Sequence, residues 1–171
     1  MRKHLMLAFC ACCISMISSS QNIFDACRKG DTTALKSMIA ENPDTVNCRN
    51  EGGFTPLIIA GYRNQIGVVK LLLENNADVN AKSGEGTVLI GACFKGNIAL
   101  VKLLLTHGAD VNATNELGST SLMYSIMGQN IELIKILIEN GANKEMKDGS
   151  GKSCHDYAVQ TGNKEIIALF K

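Results

Sequence analysis

The sequence predicts an all-α solenoid of about five helix–turn–helix repeats, and three recurring patterns carry this prediction. Small residues recur at intervals of 34, 32, 33 and 33 residues, at Ala26, Ala60, Ala92, Ser125 and Ala158. Apolar segments with helical spacing follow the same rhythm at 69–73, 101–105 and 134–138. A short closing motif recurs at 76–81, 108–113 and 141–143. Such a period is typical of repeat proteins, because each unit buries its apolar side only against its neighbours.

Each predicted unit opens with a short helix. A hydroxyl residue at its start can accept backbone N–H bonds as an N-cap, and these residues are Thr55, Thr87, Thr120 and Ser153. Pro56 suits the first helical position, where its missing N–H is not needed. We expect the short helix to end at residues that tolerate a left-handed backbone, namely Gly30, Asn64, Gly96 and Gly162.

A second helix completes each unit. Apolar residues at helical spacing mark it, as in Ile66, Val69 and Leu72. Its predicted ends are Asn76, Gly108 and Gly141. The repeats then cover about 21–49, 50–81, 82–114, 115–147 and 148–171. One extra residue near Asn42 and one missing residue near Lys82 predict irregular connections at these two places. In the short last unit we expect four residues to face inward: Ile166, Ile167, Leu169 and Phe170.

These motifs together resemble the ankyrin repeat. Thr-Pro-Leu at 55–57, Val-x-x-Leu-Leu at 69–73 and Gly-Ala-Asp-Val-Asn-Ala at 108–113 carry the resemblance, which extends over residues 21–171. It implies stacked helix pairs, β-hairpin-like turns at right angles to them, and a concave face made by the turns and the first helices. The family's His after Thr-Pro-Leu is replaced by Ile58, Ile90 and Met123. The hydrogen bond from that His to the opening turn is therefore expected to be missing.

The resemblance also implies that another protein binds on the concave face. Position by position, it selects these residues as the binding site: Arg28, Lys29, Glu51, Phe54, Tyr62, Arg63, Phe94, Lys95, Glu116 and Met127. Aromatic, Met and Arg side chains are enriched in the cores of protein interfaces. We therefore expect a partner with an apolar anchor and some acidic groups. An alternative stays open, in which Phe54 and Tyr62 only cover the turns of their own repeats.

The first twenty residues have the pattern of a secretory signal. A basic stretch at 1–4 precedes an apolar run at 5–17, and three Ser residues follow at 18–20. The apolar run is shorter than the roughly 20 residues that span a bilayer. We expect cleavage after Ser20 and a periplasmic or secreted protein. A lipoprotein is a weaker alternative, because Phe9 is too large for the residue before a lipid-bearing Cys10. A second alternative is that these residues form a buried N-terminal helix.

Four cysteines lie outside the signal: Cys27, Cys48, Cys93 and Cys154. An even number invites a disulfide interpretation in an exported protein. However, the register places Cys27 and Cys93 two repeats apart. At about 10 Å per packed layer, that separation exceeds the ~7 Å limit between the Cα atoms of a disulfide. We therefore expect four free, small, buried thiols.

The sequence holds no convergent set of catalytic, cofactor-binding or metal-binding residues. Gly151-Lys152-Ser153 resembles the end of a phosphate-binding loop, but Met146 stands where that motif needs Gly. His107 and His155 lack the further ligands that a metal site needs. The net charge of +1 gives no basic excess for nucleic acid. We expect a monomeric, non-enzymatic protein without cofactor, metal or nucleic acid, and without a membrane contact after signal cleavage.

Two binding functions remain open at this stage. One is an exported module that binds a partner protein in the bacterial periplasm, and the other is a secreted factor of a host-associated bacterium that targets a host protein. A purely structural spacer is a further class, which predicts a concave face without distinctive residues. The sequence does not choose among them.

Overall fold

The computed structural model describes residues 23–170, which divide into two compact units. The division falls between Ala77 and Asp78, inside the predicted closing motif at 76–81. Between residues 23 and 77, the first unit contains four α-helices: α1 (23–29), α2 (Thr32–Glu41), α3 (Pro56–Tyr62) and α4 (Ile66–Glu74). A 3₁₀ helix at Pro43–Asn47 follows α2, at the place where the sequence has its extra residue. Helices α3 and α4 pack against each other, and α2 packs against α4.

The second unit contains three helix pairs. These helices are α5 (Val88–Phe94), α6 (Ile98–Thr106), α7 (Ser121–Met127), α8 (Ile131–Glu139), α9 (Cys154–Thr161) and α10 (Lys164–Ala168). A short hairpin precedes α5, with β1 (Lys82–Ser83) antiparallel to β2 (Gly86–Thr87). The next two turns each form one antiparallel bridge, Thr114 with Thr120 and Lys147 with Ser153. The predicted all-α class with hairpin-like turns is confirmed, and the turn near Lys82 is the shortest of the three.

The predicted N-caps are confirmed. Thr55 Oγ1 accepts from the Ile58 N–H at 3.3 Å, and Thr120 Oγ1 accepts from the Met123 N–H at 3.4 Å. Thr87 caps α5 in the same way, and Pro56 stands in the first turn of α3. Ser153 forms a full capping box with Asp156, whose carboxylate accepts from the Ser153 backbone N–H. Each cap satisfies a backbone donor that the helix itself leaves without a partner.

The predicted helix ends are also confirmed, with one addition. A positive φ occurs at all seven residues named for this role: Gly30, Asn64, Asn76, Gly96, Gly108, Gly141 and Gly162. In the repeat at 115–147, the position falls on Gln129, which has a φ of 50°. The sequence did not mark this end, because Gln is an uncommon residue in the left-handed region.

The core of the second unit lies between successive helix pairs. Helix α7 packs against both α5 and α9, and α6 packs against α8. Large, fully buried side chains lie on α5, α6, α7 and α8, among them Leu89, Leu100, Leu104, Leu122, Met123, Ile126, Leu133 and Ile134. Val159 occupies the register of Ile126 in the last repeat, yet it is 51% exposed, because no further repeat within 23–170 covers it. Of the four residues expected inside the last repeat, Ile166 is buried and the other three are half-buried.

An asparagine ladder joins the closing motifs within the second unit. Asn80 Nδ2 donates to the Gly108 carbonyl at 3.2 Å, and its Oδ1 accepts from the Asp110 N–H at 2.8 Å. Asn112 repeats both bonds, to the Gly141 carbonyl at 3.2 Å and from the Asn143 N–H at 2.7 Å. The ladder holds neighbouring repeats at a fixed spacing, so the surface residues on α5 and α7 keep a defined separation.

Candidate functional site

The first predicted site residues lie at the end of α1 in the first unit. Arg28 and Lys29 are both exposed. The Arg28 guanidinium donates to Asp25 Oδ1 at 2.6 Å, one helical turn back. The charge of Arg28 is therefore partly neutralised within its own helix, which leaves Lys29 as the stronger positive group at this end.

The turn before α3 brings Glu51 and Phe54 to the surface of the first unit. Glu51 is exposed at the tip. Phe54 is half-buried, and its ring lies 3.0 Å from the place where a Cβ on Gly52 would stand. Phe54 thus covers its own turn, as the alternative interpretation proposed. Tyr62 behaves differently, because it stands at the end of α3 with 59% of its surface exposed, followed by the exposed Arg63.

The second unit presents its predicted residues at the ends of α5 and α7. Phe94 is the last residue of α5 and is 70% exposed, and Met127 is the last residue of α7 and is 45% exposed. Lys95 follows Phe94 and is also exposed. Glu116 stands in the turn before α7, where its carboxylate lies 3.1 Å from the place of a Cβ on Gly84. The tips of these two neighbouring turns are therefore close together.

Tyr124 was not among the predicted site residues, yet it organises this surface. Its ring lies edge-to-face against Phe94, with 5.7 Å between the ring centroids and 87° between the ring planes. Asn115 Nδ2 donates to the Tyr124 hydroxyl at 3.0 Å, and Asn115 Oδ1 accepts backbone bonds within its own turn. An edge-to-face pair adds stability beyond its buried area. The exposed Phe94 ring is consequently held by a chain of contacts that reaches the turn.

Tyr157 makes the equivalent bond one repeat later. Its hydroxyl donates to Asp148 Oδ2 at 2.5 Å, and the Lys152 ammonium lies 5.6 Å from the centre of its ring. This bond to Asp148 raises the pKa of Tyr157 to about 12 and, together with a bond from Ser150, holds the pKa of Asp148 well below its ordinary value. Met123 cannot make the hydrogen bond of the family's His, as expected, but Tyr124 at the next position connects α7 to its opening turn. Tyr157 makes such a connection in the last repeat.

Neighbouring turns of the second unit also contact each other through the backbone. The Gly149 N–H donates to the Leu117 carbonyl at 2.8 Å. A Cβ on Gly118, which has a φ of 72°, would stand only 2.8 Å from the Gly149 nitrogen. Glycine is therefore required at 118 by both conformation and space. Leu117 itself is exposed beside this contact.

The predicted binding residues thus fall into two groups. Six lie in the first unit: Arg28, Lys29, Glu51, Phe54, Tyr62 and Arg63. Four lie in the second unit: Phe94, Lys95, Glu116 and Met127. Phe94 is joined to Tyr124, and Glu116 reaches the neighbouring turn. A single stripe that crosses both units stays a prediction.

Burial controls the chemistry of the thiols. All four cysteines within 23–170 are free, with Cys48 half-buried and the others buried. Burial raises the pKa of Cys27 to about 12 and the pKa values of Cys93 and Cys154 to about 11.

The described residues contain no group of three His, Cys, Asp or Glu side chains that could hold a metal ion. Within the same part of the chain, none of the helices has the length and apolar character to cross a membrane.

Comparison with known proteins decides the family. A family model described as ankyrin repeats (3 copies) matches residues 20–83 and 88–170. The chain belongs to the ankyrin-repeat family. This membership confirms the resemblance inferred from the Thr-Pro-Leu and Gly-Ala-Asp-Val-Asn-Ala motifs. Ankyrin repeats are non-enzymatic modules for protein–protein interaction.

Individual relatives match only part of this ankyrin-repeat chain. Palmitoyltransferase akr1 of Emericella nidulans is 36% identical over 69 residues, which is 40% of this chain and 9% of that protein. Alpha-latrocrustotoxin-Lt1a of Latrodectus tredecimguttatus is 41% identical over 63 residues, 37% of this chain and 4% of the toxin. Ankyrin repeat and SAM domain-containing protein 6 of Rattus norvegicus is 39% identical over 59 residues, 34% of this chain and 7% of that protein. The chain therefore spans less than a tenth of the length of each of these three relatives.

Proposed function

We propose that this ankyrin-repeat chain binds a partner protein through the aromatic surface of its second unit, formed by Phe94, Lys95, Tyr124 and Met127. The observation that carries the proposal is the state of Phe94, which is 70% exposed while its ring is fixed against Tyr124. Exposed large apolar side chains that are already ordered are typical of binding anchors, because ordering them costs little on association.

The size of the anchor supports a protein partner. Burial of a Phe side chain contributes about 1.5–3 kcal/mol, and Met127 adds a second apolar group nearby. The exposed Lys95 follows Phe94 directly in the chain, so an acidic group next to the apolar anchor of the partner would be complementary. In the first unit, Tyr62, Arg63 and Lys29 repeat this combination of an aromatic ring with positive charge. We therefore propose that these three residues form a binding surface of the first unit.

Export forms the second part of the proposal. Residues 1–20 lie outside the described residues, and the basic, apolar and small segments of the sequence support their role as a cleaved secretory signal. The module would then act in the periplasm or outside the cell. The alternative is a secreted factor that acts on a host protein. N-terminal sequencing of the protein from separated cell fractions and from the medium distinguishes retention from release.

Site-specific photo-crosslinking tests the binding surface. A photoreactive amino acid is placed at Phe94 or Met127 in one set of variants and at Ala99, which is exposed on α6, in the control. The proposal predicts that one protein is cross-linked from positions 94 and 127 and not from position 99. Cross-linking of a partner from position 99 alone would contradict it.

A further inference from the structure

The helix ends that carry predicted binding residues of the first unit have an excess of positive charge. Helices α1 and α3, with the residue that follows α3, contribute three cations: Arg28, Lys29 and Arg63. Asp25 is the only acidic residue on these two helices, and its carboxylate is already bonded to Arg28 at 2.6 Å. The charges of Lys29 and Arg63 are therefore left without an acidic residue on their own helices.

A hydrogen bond between neighbouring repeats brings these two charges to one place on the first unit. Gln65 Nε2, at the start of α4, donates to the Arg28 carbonyl at the end of α1, at 3.2 Å. Lys29 follows Arg28 directly, and Arg63 stands two residues before Gln65. Both charged side chains thus begin within two residues of this bond. Neighbouring charges of one sign create a positive potential that attracts an anionic group.

Arg63 is the residue of this pair that can recognise the shape of an anion. Its side chain is exposed and has no hydrogen-bond or ion-pair partner within residues 23–170, whereas Lys70 on α4 lies 3.9 Å from Glu74. A guanidinium presents N–H donors in a planar fork that matches the two oxygens of a carboxylate. The helix dipole of α3 favours any cation at position 63, so it does not account for the fork. Tyr62, directly before Arg63, is 59% exposed and offers an aromatic ring beside it.

We infer that Arg63 is a specificity-determining residue that binds the carboxylate of an Asp or Glu side chain in an acidic segment of the partner protein. The inference rests on the proposed binding surface of the first unit and names the chemistry of its partner. Lys29 adds positive potential at the same place, so an acidic segment is favoured over a neutral one and a basic segment is repelled. The planar fork of Arg63 selects a group with two coplanar oxygens, which a point charge such as a Lys ammonium does not.

Parallel selections from a displayed library of random peptides supply defined probes. The library is selected on the full wild-type chain, on Arg63→Gln and on Lys70→Gln. Lys70→Gln is the matched control, because it removes one positive charge from the same unit, at a cation that already has a partner. We expect the wild type and Lys70→Gln to select peptides with Asp or Glu at a fixed position beside an apolar residue. Arg63→Gln should fail to select them.

Calorimetry with the synthesised consensus peptide tests the contact itself. Arg63→Gln should weaken its binding about tenfold or more, and Lys70→Gln about twofold or less. Arg63→Lys should weaken it about threefold or more, because the charge stays and the fork is lost. Replacing the fixed Asp or Glu with its amide should weaken binding to the wild type about tenfold, and to Arg63→Gln about twofold or less. The melting temperatures of these exposed variants should stay within about 2 °C of the wild type.

The outcomes separate this inference from the proposed binding surface. A consensus without Asp or Glu, or an equal loss of affinity in Arg63→Gln and Lys70→Gln, overturns the inference. If Tyr62→Ala weakens binding of the consensus peptide while Arg63→Gln does not, the binding surface of the first unit stands and the role of Arg63 is rejected. If neither variant changes the affinity, the binding surface of the first unit is rejected as well.

Discussion

Tyr157 and Asp148 connect α9 to the turn that precedes it, through a hydrogen bond of 2.5 Å from the phenol hydroxyl to Oδ2. The other carboxylate oxygen of Asp148 accepts from Ser150 Oγ at 2.7 Å and from the Lys152 N–H at 3.0 Å. One half-buried carboxylate thus organises a whole turn. Because all of these bonds favour the charged form, they hold the pKa of Asp148 below its ordinary value of 3.8.

The first prediction concerns the acid stability of this turn. A carboxyl group with a lowered pKa in the folded state stabilises the protein above its ordinary pKa, and this contribution is lost as the pH falls below it. Tyr157→Phe should lower the melting temperature at about pH 7, and the difference from wild type should shrink as the pH approaches about 2. Thermal unfolding followed by circular dichroism measures both. A difference that stays constant over this range would contradict the role assigned to Asp148.

The second prediction concerns the asparagine ladder. Asn112→Ala removes a donor to Gly141 and an acceptor for Asn143, so we expect the free energy of unfolding to fall by about 1–2 kcal/mol. Asn140→Ala is the control, because its Nδ2 donates only to Ile136 within its own helix. Urea denaturation compares the two variants. An equal loss of unfolding free energy in both variants would show that the hydrogen bonds between repeats stabilise the protein no more than a hydrogen bond within one helix.

The third prediction concerns thiol reactivity. Burial raises the pKa of Cys48 as well, but Cys48 is only half-buried, whereas Cys27, Cys93 and Cys154 are buried. The thiolate is the reactive form, so the three buried thiols should react slowly at about pH 8 in the folded protein. Alkylation followed by peptide mass spectrometry should find Cys48 labelled first and all four labelled alike in denaturant. Rapid labelling of Cys93 in the folded protein would contradict the packing of α5 against α7.

The fourth prediction concerns the last repeat. Helix α9 packs against α7, and Lys135 of α8 lies 3.4 Å from Glu165 of α10. A chain that ends at Asn140 would expose Ile126 and Leu137, which are fully buried in the complete protein. We expect this truncation to aggregate, because a repeat buries its apolar side only against its neighbour. Gel filtration would contradict the expectation if the truncated chain were a monomer that unfolds cooperatively.

Much of the fold could be predicted from the sequence because the signals are local. A cap such as Thr55 acts on the backbone three residues away, and Gly141 needs no partner to adopt a positive φ. Gln129 was missed because its left-handed backbone is set by its place in the repeat. Asn64 and Gly96 mark this place in other repeats, because Asn and Gly favour a positive φ, whereas Gln does not. The Arg28–Asp25 pair was missed although its spacing of three residues on a helix is a known signal.

The surface was harder to predict because it depends on neighbours far away in sequence. The exposure of Phe94 was anticipated from its helix position, but its contact with Tyr124 joins side chains 30 residues apart, in different repeats. Phe54 occupies a turn position that suggested exposure, and its ring instead covers Gly52.

The most direct test of the central claim is the affinity of the partner recovered by cross-linking at position 94. Isothermal titration calorimetry would compare the wild type with Phe94→Ala and with Lys102→Ala, which removes an exposed ion pair to Glu132 on the second helices. The account predicts that Phe94→Ala weakens binding about tenfold or more and Lys102→Ala about twofold or less. Unchanged affinity in Phe94→Ala together with a clear loss in Lys102→Ala would contradict it.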